Sequence, residues 1–141
     1  MIRNFESSDI GSIMQSWYES NVKSHYFIPA EYWKNNCETV RAAIMQAEVY
    51  VHESDGDVLG FIGLIEDYIA GIFVKEGSRS KGIGKALLNC AKAKHDSLSL
   101  HVYSRNERAA EFYKRENFKL EYVQTDEETG EEELYMTWKR P

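Results

Sequence analysis

The segment Arg79–Lys85 constrains the fold more than any other part of this sequence. It reads RSKGIGK, follows the apolar run Ile69–Val74 and leads directly into a helical pattern. Gly82 and Gly84 lack a Cβ, so the backbone can approach an anion closely, and the first N–H groups of a helix have no intrahelical partner. Those donors, the helix dipole and the neighbouring basic side chains favour a pyrophosphate group. The segment therefore predicts a strand, an anion-binding loop and a helix in succession.

Two common nucleotide-binding motifs do not fit this loop. A P-loop requires a lysine after its second glycine, but Gly82 is followed by Ile83. A dinucleotide-binding fingerprint requires a third glycine three residues after Gly84, where this chain has Leu87. A basic surface turn remains the alternative interpretation of the loop when it is taken alone.

A second motif lies further along the chain, where Asn106, Ala109, Tyr113 and Phe118 match the pattern N-x-x-A-x-x-x-Y-x-x-x-G-F. Together with the R/Q-x-x-G-x-G/A pattern of the glycine loop, it resembles the GNAT superfamily of acyl-CoA-dependent N-acyltransferases, and the resemblance runs from end to end. Asn117 stands where the family usually has glycine. Asparagine is the next best residue for the left-handed position that ends a helix, so the departure is mild.

The hydrophobic periods predict the element order β-α-α-β-β-β-α-β-α-β-β. The resemblance implies an α/β (α+β) class and the GNAT fold, a mixed twisted sheet of about seven strands flanked by four helices, with a splay between strands four and five. The turn 54–57 predicts a hairpin. The predicted strands are 2–6, 48–53, 58–65, 68–74, 98–103, 119–124 and 134–139, and the helices begin at Ser7 or Ser8, Pro29, Ile83 and Asn106.

Length and composition restrict the class of protein. A chain of 141 residues has the size of one domain, so we expect a single N-acetyltransferase domain over residues 1–141. No apolar run approaches the roughly 20 residues that cross a bilayer, and the N-terminus does not resemble a secretion signal. We therefore expect a cytoplasmic protein without a membrane partner. Its state as a monomer or a homodimer stays open.

Charge and cysteine content narrow the possible ligands. The formal net charge of −6 argues against a nucleic-acid partner, whose binding depends on Lys and Arg. Cys37 and Cys90 lie within helical patterns, and we expect both to be reduced, buried thiols without a catalytic role. No metal site is predicted.

The resemblance implies acetyl-CoA as the cosubstrate. Its pantetheine arm is expected in the splay between strands 68–74 and 98–103, where backbone groups at Phe73 and Val74 would bond its amides. The side chains of these two residues are expected to be ordinary sheet core. The predicted cofactor-binding residues are Phe73, Val74, Arg79, Ser80, Lys81, Gly82, Ile83, Gly84, Lys85, Asn106, Ala109, Phe112 and Tyr113.

The resemblance also implies direct attack of an amine on the thioester within a ternary complex. Tyr113 occupies the family position for the general acid, and a phenol with a pKa of about 10 is protonated at neutral pH and can donate to the departing sulfur. Without the surrounding signature, Tyr113 would be interpreted as a core tyrosine.

The general base has two candidates. His101 lies twelve positions before Tyr113, where ribosomal-protein N-terminal acetyltransferases carry a glutamate, and an imidazole can accept a proton near neutral pH. Alternatively, His101 is a partly buried residue that is hydrogen-bonded to a nearby carbonyl and has no catalytic role. Other members place the base where this chain has Tyr68, a poor base. His25 lies in a loop that resembles the acceptor pocket of the bacterial YjaB-like branch, or it packs among aromatic side chains.

The acceptor is predicted to be a primary amine, on a small molecule, a protein N-terminus or a lysine. Six carboxylates between Asp126 and Glu133 suggest a cationic acceptor, although a mobile, solvated tip explains the same run. Two other functions stay open at this point. One is a non-catalytic acyl-CoA-binding or sensor domain, and the other is an interaction module that uses Tyr18, Trp33 and nearby aromatic residues.

Overall fold

One mixed sheet organises the molecule. The computed structural model describes residues 1–79 and 81–141, and within them seven strands form a sheet of order β1-β2-β3-β4-β5-β7-β6 flanked by four α-helices. The predicted element order and fold class are confirmed. The elements are β1 Ile2–Asn4, α1 Ile10–Ser24, α2 Ala30–Gln46, β2 Glu48–Ser54, β3 Asp57–Ile65, β4 Tyr68–Val74, α3 Ile83–Lys94, β5 Ser97–Tyr103, α4 Glu107–Arg115, β6 Lys119–Thr125 and β7 Glu132–Lys139.

Local sequence explains most of the boundaries. The β2–β3 hairpin turns at Asp55 and Gly56, whose φ angles of 52° and 84° are those of a two-residue turn with both central residues left-handed. Asn117 adopts φ 72° after α4, which is the left-handed role predicted for it. Both positions follow from short-range rules that the sequence makes visible.

The predicted start of the first helix is wrong in one detail. Residues Ser7–Asp9 form a short 3-10 turn before α1, and the Asp9 carboxylate accepts the Glu6 N–H at 2.8 Å. Arg3 donates to both Asp9 oxygens at 2.9 Å, and this pairing lowers the pKa of Asp9. Glu6, rather than a serine, is the N-cap of this turn, and it forms a reciprocal capping box with Asp9. As the N-cap of α1 itself, Asp9 makes no side-chain cap bond.

Two hydrophobic cores cover the two faces of the sheet. Helices α3 and α4 bury one face, and helices α1 and α2 bury the other. Along β5 the side chains alternate accordingly, because successive strand residues point to opposite faces. Leu98, Leu100 and Val102 join the α3–α4 core, whereas His101 and Tyr103 lie on the α1–α2 side. This alternation places His101 and Tyr103 where a site can form.

The predicted splay between β4 and β5 is confirmed. Among the described residues these parallel strands share one registered pair, Tyr68 with Ser99, and the Ser99 N–H donates to the Asp67 carbonyl at 3.0 Å. Beyond that point the strands part. Ala70 is exposed although it lies within an interior strand of the sheet, because its neighbour has moved away.

Cys37 and Cys90 are free thiols, as predicted, although each is partly rather than fully buried. Over residues 1–79 and 81–141, no helix has both the length and the apolar character that crossing a membrane requires.

Candidate active site

A cleft of about 1030 Å³ occupies the splay. Its walls come from the C-terminal part of α1, the splayed strands β4 and β5, the glycine loop with the start of α3, and helix α4. Almost all the predicted site residues line it. Lys81 does not, and Ser80 lies outside the described residues.

The glycine loop has the geometry expected of an anion cradle. Gly82 is the N-cap of α3 and is left-handed, with φ 78°, and a Cβ built on it would meet no protein atom within 4 Å. The first hydrogen bond of the helix runs from the Ala86 N–H to the Gly82 carbonyl at 3.0 Å. The N–H groups before Ala86 therefore have no acceptor within the helix and can bind an anion. Arg79 and Lys85 add positive charge to the cleft wall. These features fit the pyrophosphate of coenzyme A.

Gly84 serves a different purpose from Gly82. A Cβ at this position would be in ordinary contact with the protein, 3.6 Å from the Phe112 ring and 3.8 Å from the Val74 side chain, so Gly84 packs between α3, α4 and β4 rather than beside open space. Ile83 between the glycines is 5% exposed and packs into the α3–α4 core. Its side chain is therefore core, and its contribution to the loop is the backbone.

Alternate residues of β4 direct their backbone hydrogen-bonding groups to opposite sides of the strand, and this changes the contact predicted for Phe73. The Lys75 N–H donates to the Leu59 carbonyl at 2.7 Å, and the register pairs Phe61 with Phe73. In an antiparallel ladder every second residue bonds the same neighbour, so the backbone of Phe73 faces β3. The backbone groups of Ile72 and Val74 face the splay instead. The Phe73 backbone is thus occupied by β3, and the backbone groups available for the predicted cofactor contact are those of Ile72 and Val74.

Tyr113 lies at the middle of the cleft wall. It is 9% exposed and its ring contacts those of Phe112 and Phe118, with centroids 5.3 and 5.6 Å away. Burial, followed by the nearby Tyr68, raises the pKa of the Tyr113 phenol above its ordinary value. The hydroxyl therefore keeps its proton at neutral pH and is chemically suited to donate it.

His101 is bonded to Tyr68 across the splay. The Tyr68 hydroxyl and His101 Nδ1 are 2.8 Å apart, and both side chains line the cleft. Burial is the main cause that raises the pKa of Tyr68 to about 12, so Tyr68 itself is not a base at neutral pH. The pair can instead pass a proton, because a hydroxyl can accept one proton while donating another to an imidazole.

His25 is held in a chain of four hydrogen bonds. Asn21 donates to the Trp17 carbonyl at 2.9 Å, which leaves its Oδ1 to accept from His25 Nδ1 at 2.9 Å. Asn106 donates to His25 Nε2 at 3.0 Å and accepts the Ala109 N–H at 3.2 Å. The chain is consistent with a neutral imidazole that carries its proton on Nδ1. It links α1 to the N-cap of α4.

This arrangement bears on both predicted roles of His25. Burial lowers the pKa of His25 to about 4, and both ring nitrogens already have partners, so no nitrogen is left to accept a proton from an amine. His25 lines the pocket, as predicted, but its hydrogen bonds hold Asn21 and Asn106 in position and leave it unable to accept a proton from an amine. The Asn106 side chain is likewise used within the protein.

The acidic run also differs from a simple solvated tip. Most of its carboxylates have protein partners that tie the β6–β7 hairpin to the rest of the molecule. These pairs are Asp126 with the Tyr103 hydroxyl at 2.9 Å, Glu128 with the Tyr32 hydroxyl at 3.2 Å, Glu131 with Arg105 at 3.3 Å, and Glu132 with the Ser104 hydroxyl at 2.8 Å. Of the six, Glu133 alone lines the cleft over the described residues.

Several cleft residues escaped the sequence analysis, namely Ile72, Tyr103, Arg108, Arg115 and Glu116. Arg108 and Arg115 lie within or beside the signature helix, and the basic character of its cleft side was visible in the sequence. The sequence analysis named Glu133 only as one of six carboxylates, and it could not single this residue out because its position depends on which strands are neighbours.

Comparisons with known proteins agree with this geometry. A family model described as an acetyltransferase (GNAT) domain matches residues 45–120. The peptidyl-lysine N-acetyltransferase YiaC of Escherichia coli is 35% identical over 98% of this chain and 96% of its own. The peptidyl-lysine N-acetyltransferase YjaB of E. coli is 28% identical over 84% of this chain and 82% of its own.

Solved structures show the same fold. The solution structure of YjaB from E. coli in its apo form superposes with a TM-score of 0.86, at 24% identity, over all of this chain and 98% of that one. YncA from Salmonella typhimurium, solved with its cofactor acetyl-CoA, has a TM-score of 0.72 at 15% identity over all of this chain and 94% of that one. The chain belongs to the GNAT family and is an N-acetyltransferase that uses acetyl-CoA.

Proposed function

We propose that this enzyme transfers the acetyl group to the side-chain amine of lysine in peptides and proteins. The observation that carries the proposal is a single cleft that joins an anion cradle, a proton donor and a Tyr–His pair. YiaC and YjaB are both named for peptidyl-lysine acetylation, and the similarity to YiaC spans nearly the whole of both chains. We thus propose the lysine acceptor from the similarity to these two enzymes, and we propose the catalytic chemistry from the geometry of the cleft.

The site residues divide the chemistry between them. Acetyl-CoA supplies an acyl group activated as a thioester. The loop amides of residues 82–85 and the splay-facing backbone of Ile72 and Val74 orient it, and the Tyr113 hydroxyl protonates the departing sulfur. The attacking amine gives a proton to the Tyr68 oxygen while the Tyr68 proton moves to His101 Nδ1, so His101 ends as an imidazolium ion.

The proposed acceptor can be tested with the purified chain. Acetyl-CoA is mixed with a lysine-containing peptide whose N-terminus is blocked, and the release of free thiol and the mass of the peptide are followed together. We expect one thiol for each added acetyl group on lysine. A matched peptide with arginine in place of lysine should release none, and equal thiol release from both peptides would refute the lysine acceptor.

The Tyr68–His101 pair has its own test in the pH dependence of the rate. We expect kcat/KM to fall at acid pH, where a protonated imidazole can no longer accept the relayed proton, and His101→Ala to remove this limb. Tyr68→Phe should lower the rate in the same direction, because it interrupts the relay. A profile that follows only the pKa of the acceptor amine, unchanged in both variants, would eliminate the relay.

We also propose that residues 1–141 act as one catalytic domain, which their single continuous sheet supports. A cytoplasmic location is proposed as well, since free thiols are typical of reducing compartments.

A further inference from the structure

The carboxylate of Glu133 is placed differently from the other acids of the β6–β7 hairpin. Strand β7 pairs with β5 so that Glu133 lies opposite Tyr103, and Tyr135 lies opposite His101. Because alternate strand residues share a face, Glu133 lies on the same face of the sheet as Tyr103 and His101. The side chain lines the cleft beside the Tyr68–His101 pair rather than the outside of the hairpin.

One neighbouring side chain positions this carboxylate. Gln124 Nε2 donates to Glu133 Oε1 at 2.7 Å. Over the described part of the chain, Glu133 Oε2 has no hydrogen-bond or ion-pair partner. The charge of Glu133 is also felt inside the cleft, because after burial it is the largest cause that raises the pKa of Tyr68. One oxygen is thus oriented and the other is open to a ligand.

The cleft has opposite charge at its two ends. Arg79, Lys85, Arg108 and Arg115 line the end that holds the glycine loop and α4, where Glu116 lies 4.0 Å from Lys85. At the other end, Glu133 has aromatic neighbours, because it lies opposite Tyr103 on β5 and its charge raises the pKa of Tyr68 and Tyr32. An anionic cosubstrate and a cationic acceptor would each find complementary charge at one end. An aromatic surround also suits a cation, because ring faces attract ammonium groups.

We propose that Glu133 binds the ammonium group of the acceptor lysine and presents it to the Tyr68–His101 pair. This rests on the proposed function and adds the residue that recognises the acceptor. Oε2 accepts a charge-assisted hydrogen bond from the ammonium, and Gln124 keeps the carboxylate turned toward the cleft. One ammonium proton leaves through Tyr68 to His101, and the neutral amine can then attack. The second proton, which the nitrogen loses as the amide forms, returns to the Tyr113 oxygen that protonated the departing sulfur, so the protons balance.

The test compares two glutamates of the same hairpin. In Glu133→Gln, KM for a blocked lysine peptide should rise roughly tenfold while acetyl-CoA affinity stays that of the parent, because one charge-assisted hydrogen bond is lost at the acceptor end only. Glu127→Gln, an exposed residue of equal charge outside the cleft, should behave like the parent. Gln124→Ala should give an intermediate rise in KM.

Three outcomes are informative. A KM for Glu133→Gln equal to that of Glu127→Gln would overturn the inference and leave lysine acetylation intact. A loss of acetyl-CoA affinity in Glu133→Gln would also overturn it, since the residue would then support the whole cleft. A parent enzyme that binds acetyl-CoA but acetylates no lysine peptide would refute the proposed function, and the role of Glu133 with it.

Discussion

The two ends of the cleft are built by different means. The cofactor end comes from one continuous stretch, the glycine loop and the first turn of α3, and its donors are backbone N–H groups. The acceptor end is assembled from side chains of β4, β5, the α1–α2 loop and the β6–β7 hairpin. A site made of backbone tolerates changes of side chain, whereas a site made of distant side chains depends on each one.

The comparison also explains how a family can keep its cosubstrate while its acceptors differ. The cofactor end requires a left-handed glycine and a helix start, which are local properties. The acceptor end can change whenever one strand or loop residue changes. Tyr113 and the His25 chain lie between the two ends and connect them.

The largest effect is expected for Tyr113, which connects the two ends of the cleft. Tyr113→Phe should lower kcat by roughly a hundredfold to ten-thousandfold, because the leaving sulfur loses its proton donor. Acetyl-CoA affinity, measured by calorimetry, should stay that of the parent, since the ring still packs against Phe112 and Phe118. Turnover equal to that of the parent would make Tyr113 a packing residue.

The next effect concerns the link between the ends. The pKa of His25 falls from its ordinary 6.5 to about 4 on folding, so between those pH values the unfolded chain binds more protons than the folded one. The contribution of His25 to the free energy of unfolding is therefore fully present above pH 6.5. It should be lost as pH falls toward 4, and the loss is at most about 3 kcal/mol at 1.36 kcal/mol per pKa unit.

A matched variant isolates the contribution of His25 to this pH dependence. The His25→Gln amide can donate to Asn21 and accept from Asn106 but does not titrate, so the pH dependence of its free energy of unfolding should be flatter than that of the parent. Urea unfolding at pH 7 and pH 4.5 measures the difference. Identical pH dependence in the two proteins would mean that His25 is not kept neutral by the fold.

A smaller effect is expected at the cofactor end. Gly82→Val should weaken acetyl-CoA binding by roughly tenfold, because a left-handed conformation costs an L-residue about 1–2 kcal/mol and the new side chain enters the cleft. Gly56→Val provides the control, since Gly56 has a similar φ of 84° and open space in a hairpin far from the cleft. If both variants bind acetyl-CoA as the parent does, Gly82 has no part in the cradle.

The smallest effect is expected outside the cleft on the acidic hairpin. Glu131→Gln removes an ion pair with the exposed Arg105, and such pairs contribute little, so kcat/KM should change by about twofold or less. Its response to added salt should match the parent for both singly and multiply charged amines. A marked flattening of the salt response would show that the whole hairpin, rather than Glu133, attracts the acceptor.

The sequence by itself determined the parts of this protein that depend on neighbours along the chain. The glycine loop, the bounds of β4, the hairpin at Asp55 and Gly56 and the left-handed Asn117 all follow from local backbone rules. Tyr113 could be predicted as a cleft residue because its signature lies within one helix and its flanks, and its role as the proton donor stays a prediction. Even the capping error at Ser7 and Ser8 was local, because Glu6 and Asp9, three residues apart, form the capping box instead.

Only the tertiary structure decided the acceptor end. His25 and Asn106 are 81 residues apart in sequence, and Tyr68 and His101 are 33 apart, yet each pair shares a hydrogen bond. Glu133 reaches the cleft because β7 inserts between β5 and β6. Strand order and register set these contacts, and both depend on long-range packing rather than on spacing along the chain. A base proposed from the sequence thus became a positioning residue, and a glutamate from a charged turn became part of the site.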